Sequence, residues 1–398
     1  MARNLPFARL GRAQWERLFD FAAWVVLCCF LLYVGWEAYW RYGVDLRGYY
    51  AAARVVLVGG DPYDYDQVSR VLLAVTGEMG NNPYYYAPWF SVVMTPLALL
   101  PFRLARLVWI ALTLGAYWLG TRLALDVLDW QIAGWRRWLL ILGGAYLFVW
   151  ISVRSEQLGT WLFALIAASL WGYRREKPLL AGAAMALLLT KPNVTWLTVP
   201  TLGLVYWQRQ RRAVWWAAAV LFALLLVSTA IVPAWPKHLT EPDFGAGLRF
   251  ELDGPDRIKS IRLNTVLRDW LGQWTDSQLT YWLVWGLLAV GSGWVLWRAR
   301  RAGTGEVYRV ALSSALGLLL TPYAMQYDYP PLALAFFWIG RSLPWDRPLA
   351  LWGGLSVLAF VFSVPLWEWP VYDGYWMLLG IVGLLVSCNA SLWSRKRI

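Results

Sequence analysis

The sequence predicts an all-α polytopic membrane protein, a single domain over residues 1–398 with about twelve transmembrane helices. Three observations predict it. Hydrophobic residues make up 59% of the chain and charged residues 15%, with a mean hydropathy of +0.45. A soluble domain carries about 25% charge. So apolar a chain has too little polar surface to cover its core, and lipid must be the missing solvent. The apolar residues fall in runs separated by short polar breaks. The 31 Trp and 21 Tyr residues carry rings with an apolar body and a polar tip, which favour the membrane–water interface.

The first apolar run, Phe19 to Trp40, follows Arg3, Arg9, Arg12 and Arg17. Its charge fits a signal peptide, but the run is long enough to cross a bilayer and no small-x-small cleavage site follows. It reads as a retained anchor. Further spans are expected at 104–124, 138–153, 157–173, 178–190, 193–207, 213–232, 281–298, 308–323, 328–341, 347–364 and 372–390. Several fall short of the ~20 residues that a helix needs to cross hydrocarbon. Short spans imply a thinned bilayer or helices that end in a water-filled cavity. The apolar piece Trp89 to Pro101 is shorter still, and an interfacial or partly inserted helix is expected there.

Charge sets the orientation. With the N-terminal arginines in the cytoplasm, the inside loops hold Arg136 and Arg137; Arg174, Arg175 and Lys177; Arg209, Arg211 and Arg212; Arg298, Arg300 and Arg301; and Arg395, Lys396 and Arg397. The positive-inside rule requires such a bias. Both termini are then cytoplasmic. The other face receives the first loop (41–103), the turn at Arg154-Ser155-Glu156, the break at Lys191-Pro192-Asn193, a large loop (233–280), Gln326-Tyr327-Asp328, and Glu368 to Asp373. Ionisable groups near membrane depth are costly and mark function, so the chemistry is expected on the extracytoplasmic side.

The net charge of +12 does not indicate nucleic acid. The cations sit in short clusters between apolar runs, as orientation signals and contacts with anionic membrane lipids do. Cys28, Cys29 and Cys388 all lie in apolar runs and suggest neither a disulfide framework nor a zinc site. His238 is the only histidine, which excludes multi-histidine metal centres and suggests a solvated loop residue. The halves share no matching broken helices, against a secondary transporter.

The first loop reads Asp45-Leu46-Arg47-Gly48-Tyr49-Tyr50-Ala51-Ala52-Ala53-Arg54, then Gly59-Gly60-Asp61-Pro62-Tyr63-Asp64. Asp45, beside Arg47 and Arg54, is a candidate general base for an acceptor hydroxyl. It is equally an N-cap for an amphipathic helix from Leu46 to Val58. Gly59 to Asp64 is turn chemistry, and structural or solvated roles are expected for Asp61, Asp64 and Asp66. Asn81-Asn82-Pro83-Tyr84-Tyr85-Tyr86-Ala87-Pro88-Trp89 is an aromatic platform for a sugar, or an interfacial belt.

Lys191 before Pro192 is expensive in an apolar stretch without an anionic partner. It is a candidate phosphate ligand, or it snorkels to the interface. Arg154 is a forked phosphate donor or a pair for Glu156. Asp328 orients an acceptor, pairs with a cation, or caps the next helix. Asn264 is a sugar-hydroxyl ligand or a turn residue.

The order of these pieces carries a resemblance. Asp45 with Tyr49-Tyr50-Ala51-Ala52-Ala53-Arg54 and Gly59-Gly60-Asp61-Pro62-Tyr63-Asp64 resembles the first-loop motif of glycosyltransferase family 87. Tyr85-Tyr86-Ala87-Pro88 with Thr95-Pro96-Leu97-Ala98-Leu99-Leu100-Pro101 resembles its Tyr-Pro-Pro…Pro-Leu-Ala-Leu-Leu-Pro stretch. Glu156-Gln157, Pro178 to Gly182 and Lys191-Pro192 resemble its Gly-Gln-Asn…Leu-Ala-Gly…Lys-Pro run. Thr321-Pro322-Tyr323 with Tyr327-Asp328 resembles its Ser-Pro-Tyr…Tyr-Asp variant. This sequence has Ala87 for a proline and Glu156 for a glycine, and no histidine at 326–328.

The resemblance implies a GT-C membrane fold and inverting transfer of a sugar, typically mannose, from a polyprenyl-phosphate donor to a lipid or glycan acceptor on the outer face. Asp45 would be the general base. From charge and side, Arg154, Lys191 and Arg47 are candidates for the donor phosphate. Tyr49, Tyr85, Tyr86, Glu156, Gln157, Asn193, Asn264, Gln326, Tyr327 and Asp328 are candidates for the sugar or acceptor. One carboxylate and a phosphate leaving group suffice for a single displacement, so no cofactor and no metal is required. A flippase or transporter of the lipid-linked sugar is the reading from another class.

Overall fold

The computed structural model describes residues 12–40, 45–77, 84–130, 144–238, 278–321, 324, 326–342, 381–383 and 385. Among the described residues every regular element is helical. The chain enters through α1 (Arg12–Trp40). The first loop holds α2 (Asp45–Leu57), α3 (Tyr65–Thr76), α4 (Pro88–Val93) and α5 (Thr95–Ala98), followed by α6 (Phe102–Val127). A π-helical stretch (Ala145–Val149) leads into α7 (Trp150–Arg154). Then come α8 (Gly159–Arg174), α9 (Pro178–Leu187), α10 (Pro192–Thr195), α11 (Thr198–Arg209), α12 (Arg211–Ile231) and α13 (Trp235–His238). The later chain gives α14 (Gln278–Arg301), α15 (Glu306–Leu320) and α16 (Ala333–Ser342).

Three helices are long and apolar enough to cross a membrane: Gln14–Glu37 within α1, α6 and α12. Their apolar side chains remain exposed, among them Phe21, Leu32 and Trp36 on α1 and Trp215, Phe222 and Leu226 on α12. Such surface requires lipid around it. Several of the shorter expected spans form helices, α8, α9 and α15. The expected spans at 347–364 and most of 372–390 lie outside the described residues.

The core is built on close helix pairs. α6 packs on α8, α8 on α9, and α9 on α12. Gly182 permits the last contact, since a Cβ there would lie 2.3 Å from the Ala213 carbonyl oxygen. Trp89 to Pro101 does not form one helix. Pro96 lies in a second short helix, and α4 and α5 have 6 and 4 residues, too few to cross hydrocarbon.

The expected continuous span at 193–207 is a correction: the structure divides it into α10 and α11. Pro200 lacks an N–H and its ring opposes the carbonyl of residue 196, which ends one helix and starts the next. The expected start of a helix at 328 is likewise corrected. Pro330 and Pro331 hold a 3₁₀ turn (Pro330–Leu332), and α16 begins at Ala333.

Turn chemistry shapes the described part of the first loop. Asp64 caps α3 by accepting the amides of Asp66 and Gln67, and Gly77 closes it at φ 73°. The buried face of α2, Leu46, Tyr49, Tyr50, Ala52 and Ala53, packs with Trp89, Phe90 and Ala98. The expectation of a solvated His238 is corrected. Its Nε2 lies 2.6 Å from Asp61 Oδ2, and its ring packs on Tyr63. A partner 177 residues away in sequence cannot be read from local pattern.

Candidate active site

Lys191 stands where the helical chain breaks. Pro192 disfavours helical backbone in the residue before it, and Lys191 takes φ −131°, ψ 73° between a 3₁₀ turn and α10. Side-chain hydrogen bonds help to hold this break. Trp89 Nε1 donates to Thr190 Oγ1 at 2.9 Å, Thr195 Oγ1 donates to the Leu188 carbonyl at 2.9 Å, and Thr321 Oγ1 donates to the Asn193 carbonyl at 2.6 Å.

The Lys191 ammonium does not snorkel. The residue is 3% exposed, and its Nζ donates to Asp328 Oδ1 at 2.5 Å and to Gln157 Oε1 at 3.1 Å. It also lies 4.9 Å from the Tyr327 ring centre and 5.7 Å from that of Tyr86. Burial would depress its pKa, and the Asp328 carboxylate, together with Tyr86 and Asp45, more than offsets that and holds it above the ordinary value. Pairing with a cation is one of the roles open to Asp328 in the sequence, and its contact with Lys191 matches it.

Gln157 Oε1 is the centre of the network. The Tyr49 hydroxyl donates to it at 2.9 Å and the Tyr86 hydroxyl at 3.1 Å, with the two hydroxyl oxygens 2.7 Å apart. Three donors on one oxygen fix which way the amide faces. Burial pushes the Tyr86 hydroxyl up to about 12, and burial also drives Tyr49 well above its usual range. Both are therefore neutral donors at physiological pH.

Tyr49 connects the network to Asp45. The two residues are four apart on α2 and share a face. Asp45 is half-buried in the first turn of that helix. Its charge acts on Tyr49, Tyr86, Glu156 and Lys191, raising the pKa of each. Arg47 is half-buried in the same turn and acts on Glu156.

Glu156 has a different partner from the one expected. Its carboxylate pairs with Arg106 of α6 rather than with Arg154, and Trp109 Nε1 donates to its carbonyl at 2.9 Å. Arg106 Nη1 also donates to the Tyr39 carbonyl at 3.1 Å. The backbone of Glu156 sits at φ 56°, a left-handed conformation that costs a non-glycine residue about 1–3 kcal/mol. A glycine, as in the resembling motif, would take this conformation without that cost.

Burial pushes the Glu156 carboxyl up to about 7, with Arg106 restraining the rise. A carboxyl raised on folding stabilises the fold fully below its unfolded value of 4.5, and that contribution is lost as pH climbs through about 7. A shift of this size is worth about 3 kcal/mol. The thermal midpoint of the wild type should therefore fall relative to Glu156→Gln between roughly pH 5 and pH 8. Parallel pH profiles for the two proteins would rule this out.

Gly159 lets the 3₁₀ turn of Asp328 approach α8. A Cβ at Gly159 would meet the Tyr327 carbonyl oxygen at 2.3 Å and the Pro330 ring at 2.7 Å. Gly159→Ala should cost ~1–3 kcal/mol by overpacking, read as a lowered thermal midpoint; an unchanged midpoint would speak against this close fit.

The other expected site residues are spread around this centre. Tyr85 is half-buried beside Tyr86, Arg154 ends α7 next to the Glu156 turn, and Asn193 lies in α10. Gln326 opens the 3₁₀ turn of Asp328. Asn264 lies outside the described residues.

A buried ammonium–carboxylate pair, a carboxamide and two tyrosines, set beneath a loop helix that carries another carboxylate, define a helical membrane protein with a polar site among its helix ends. The family model of glycosyltransferase family 87 matches residues 84–322, more than half of the chain. The chain belongs to that family and is a glycosyltransferase. A search of curated proteins finds no match.

Proposed function

We propose that the protein transfers a sugar, mannose in the first instance, from a polyprenyl-phosphate donor to a lipid or glycan acceptor on the extracytoplasmic face, with inversion. The observation that carries this reading is the junction of α2 with the Lys191 break. Tyr49, one turn from Asp45, bonds the same Gln157 oxygen that Lys191 bonds. A base for the acceptor and a cation for the donor thus belong to one network.

In the proposed reaction the acceptor hydroxyl attacks the anomeric carbon. Asp45 takes its proton, the bond from that carbon to the phosphate oxygen breaks, and polyprenyl phosphate leaves with the electron pair. A single displacement inverts the carbon. An ammonium has three N–H donors. Two of those on Lys191 go to Asp328 and Gln157, which leaves the third for a phosphate oxygen. Arg47 and Arg154 are the further proposed phosphate ligands. Tyr49, Tyr85, Tyr86, Asn193, Gln326, Tyr327 and Asp328 are proposed to line the sugar and acceptor.

The side of the membrane follows from charge. α8 runs from Gly159, beside the site, to Arg174, about 24 Å away at 1.5 Å per residue. Arg209 ends α11 and Arg298, Arg300 and Arg301 end α14. These cations support a cytoplasmic assignment for that end and, with it, an extracytoplasmic site.

The test is donor preference. Purified protein should consume polyprenyl-phosphate mannose and leave a nucleotide-linked mannose untouched, and the product anomer should be opposite to the donor's. Retention of configuration, or use of the nucleotide sugar, would remove the single-displacement scheme.

A further inference from the structure

The arginine-rich end of the bundle, remote from Lys191, contains a second polar site. A cavity of about 580 Å³ opens there, lined by Arg174, Arg209, Arg212 and Gln210 and by the carboxylates Glu176 and Glu306, among others. Three helices begin around it, α9 at Pro178, α12 at Arg211 and α15 at Glu306, and none has a side-chain cap. Their first amides carry the positive ends of three helix dipoles.

The acids here neutralise only part of the charge, two lining carboxylates against three lining arginines. Arg174 takes Glu306 at 2.9 Å and Asp129 at 3.1 Å, and also donates to the Val127 carbonyl. Among the described residues no carboxylate lies within ion-pair distance of Arg209, Arg212 or Arg309. Arg309 follows Glu306 by one turn of α15, and its Nε is buried without a hydrogen-bond partner. Gln210 Oε1 is buried and unpartnered as well. A buried guanidinium N–H bonds most strongly to an anionic acceptor, and a buried amide oxygen takes a hydroxyl or amine donor.

Apolar surface adjoins the cavity. Leu179 and Leu180 follow the lining Pro178, Leu204 and Trp207 precede Arg209, and Trp215 follows Arg212 by one turn; all are exposed. We propose that this cavity binds a phosphate ester bearing a free hydroxyl, with Arg209 and Arg212 of its lining on the phosphate, Gln210 accepting from the hydroxyl, and Arg309 adding positive charge from one turn along α15. The flanking apolar side chains favour a phospholipid headgroup over a soluble phosphate.

The experiment uses the full chain purified in a neutral detergent. Dioctanoylphosphatidylglycerol, dioctanoylphosphatidylcholine, glycerol phosphate and inorganic phosphate are each titrated, with the thermal midpoint as readout. Phosphatidylglycerol should raise the midpoint saturably and phosphatidylcholine should not. Arg212→Gln, an exposed side chain whose loss leaves packing intact, should weaken phosphatidylglycerol about tenfold or more. Arg209→Gln should do the same, while Arg70→Gln, which removes one charge on the distant α3, should titrate as wild type. Equal effects of the soluble phosphates and the lipid would keep the site and make a free phosphate ester its ligand. Wild-type affinity in both cavity variants, or an equal shift with phosphatidylcholine, would overturn the proposal.

Discussion

Lys191→Met is expected to destabilise the protein by ~3–5 kcal/mol and to abolish glycosyl transfer, and Asp328→Leu is expected to do the same. Both charges are buried, and removing one leaves the other without compensation in a medium of low dielectric. The double variant Lys191→Met/Asp328→Leu should behave differently. Replacing both members of a buried pair by apolar groups is often neutral or stabilising, so its thermal midpoint should recover most of the loss. Transfer should stay lost, because the proposed phosphate ligand is gone. The coupling between the sites then appears as non-additivity in a double-mutant cycle. A single variant with wild-type stability would show that the pair is not buried as described. A double variant that transfers sugar would show that Lys191 serves only the fold.

Asp45→Asn should give the opposite separation of effects. A positioned general base contributes ~10²–10⁴ in rate, so single-turnover transfer should slow by that factor. Stability should change little. Asp45 is half-buried in the first turn of α2, where a carboxylate interacts with the helix dipole by about 0.3–1 kcal/mol. Transfer at the wild-type rate would assign the base to another group. A collapse in stability would return Asp45 to the helix-capping role that its sequence position also allows.

Much of the site is legible in the sequence because its members break local rules. A lysine before a proline in an apolar stretch demands a partner, and Asp328 is the carboxylate that meets it. The Glu156-Gln157 turn and the tyrosines of the first loop stand out for the same reason. Arg106 does not, although it lies inside the apolar α6. An arginine at that depth is itself a signal, but its partner is 50 residues away and the nearer Arg154 competes for it. The fold is legible as helices and less so in their ends. The divisions at Pro200 and at Pro330-Pro331 follow from missing donors that a hydropathy window averages away.

The most direct measurement is transfer of radiolabelled mannose from its polyprenyl phosphate to membrane-extract acceptors by protein reconstituted in lipid, wild type beside Asp45→Asn. Label should pass to a new glycolipid or glycan with the wild type, and at least ~100-fold more slowly with the variant. Intact donor that crosses the bilayer without losing its sugar, in both proteins, would contradict the account and identify a carrier of the lipid-linked sugar.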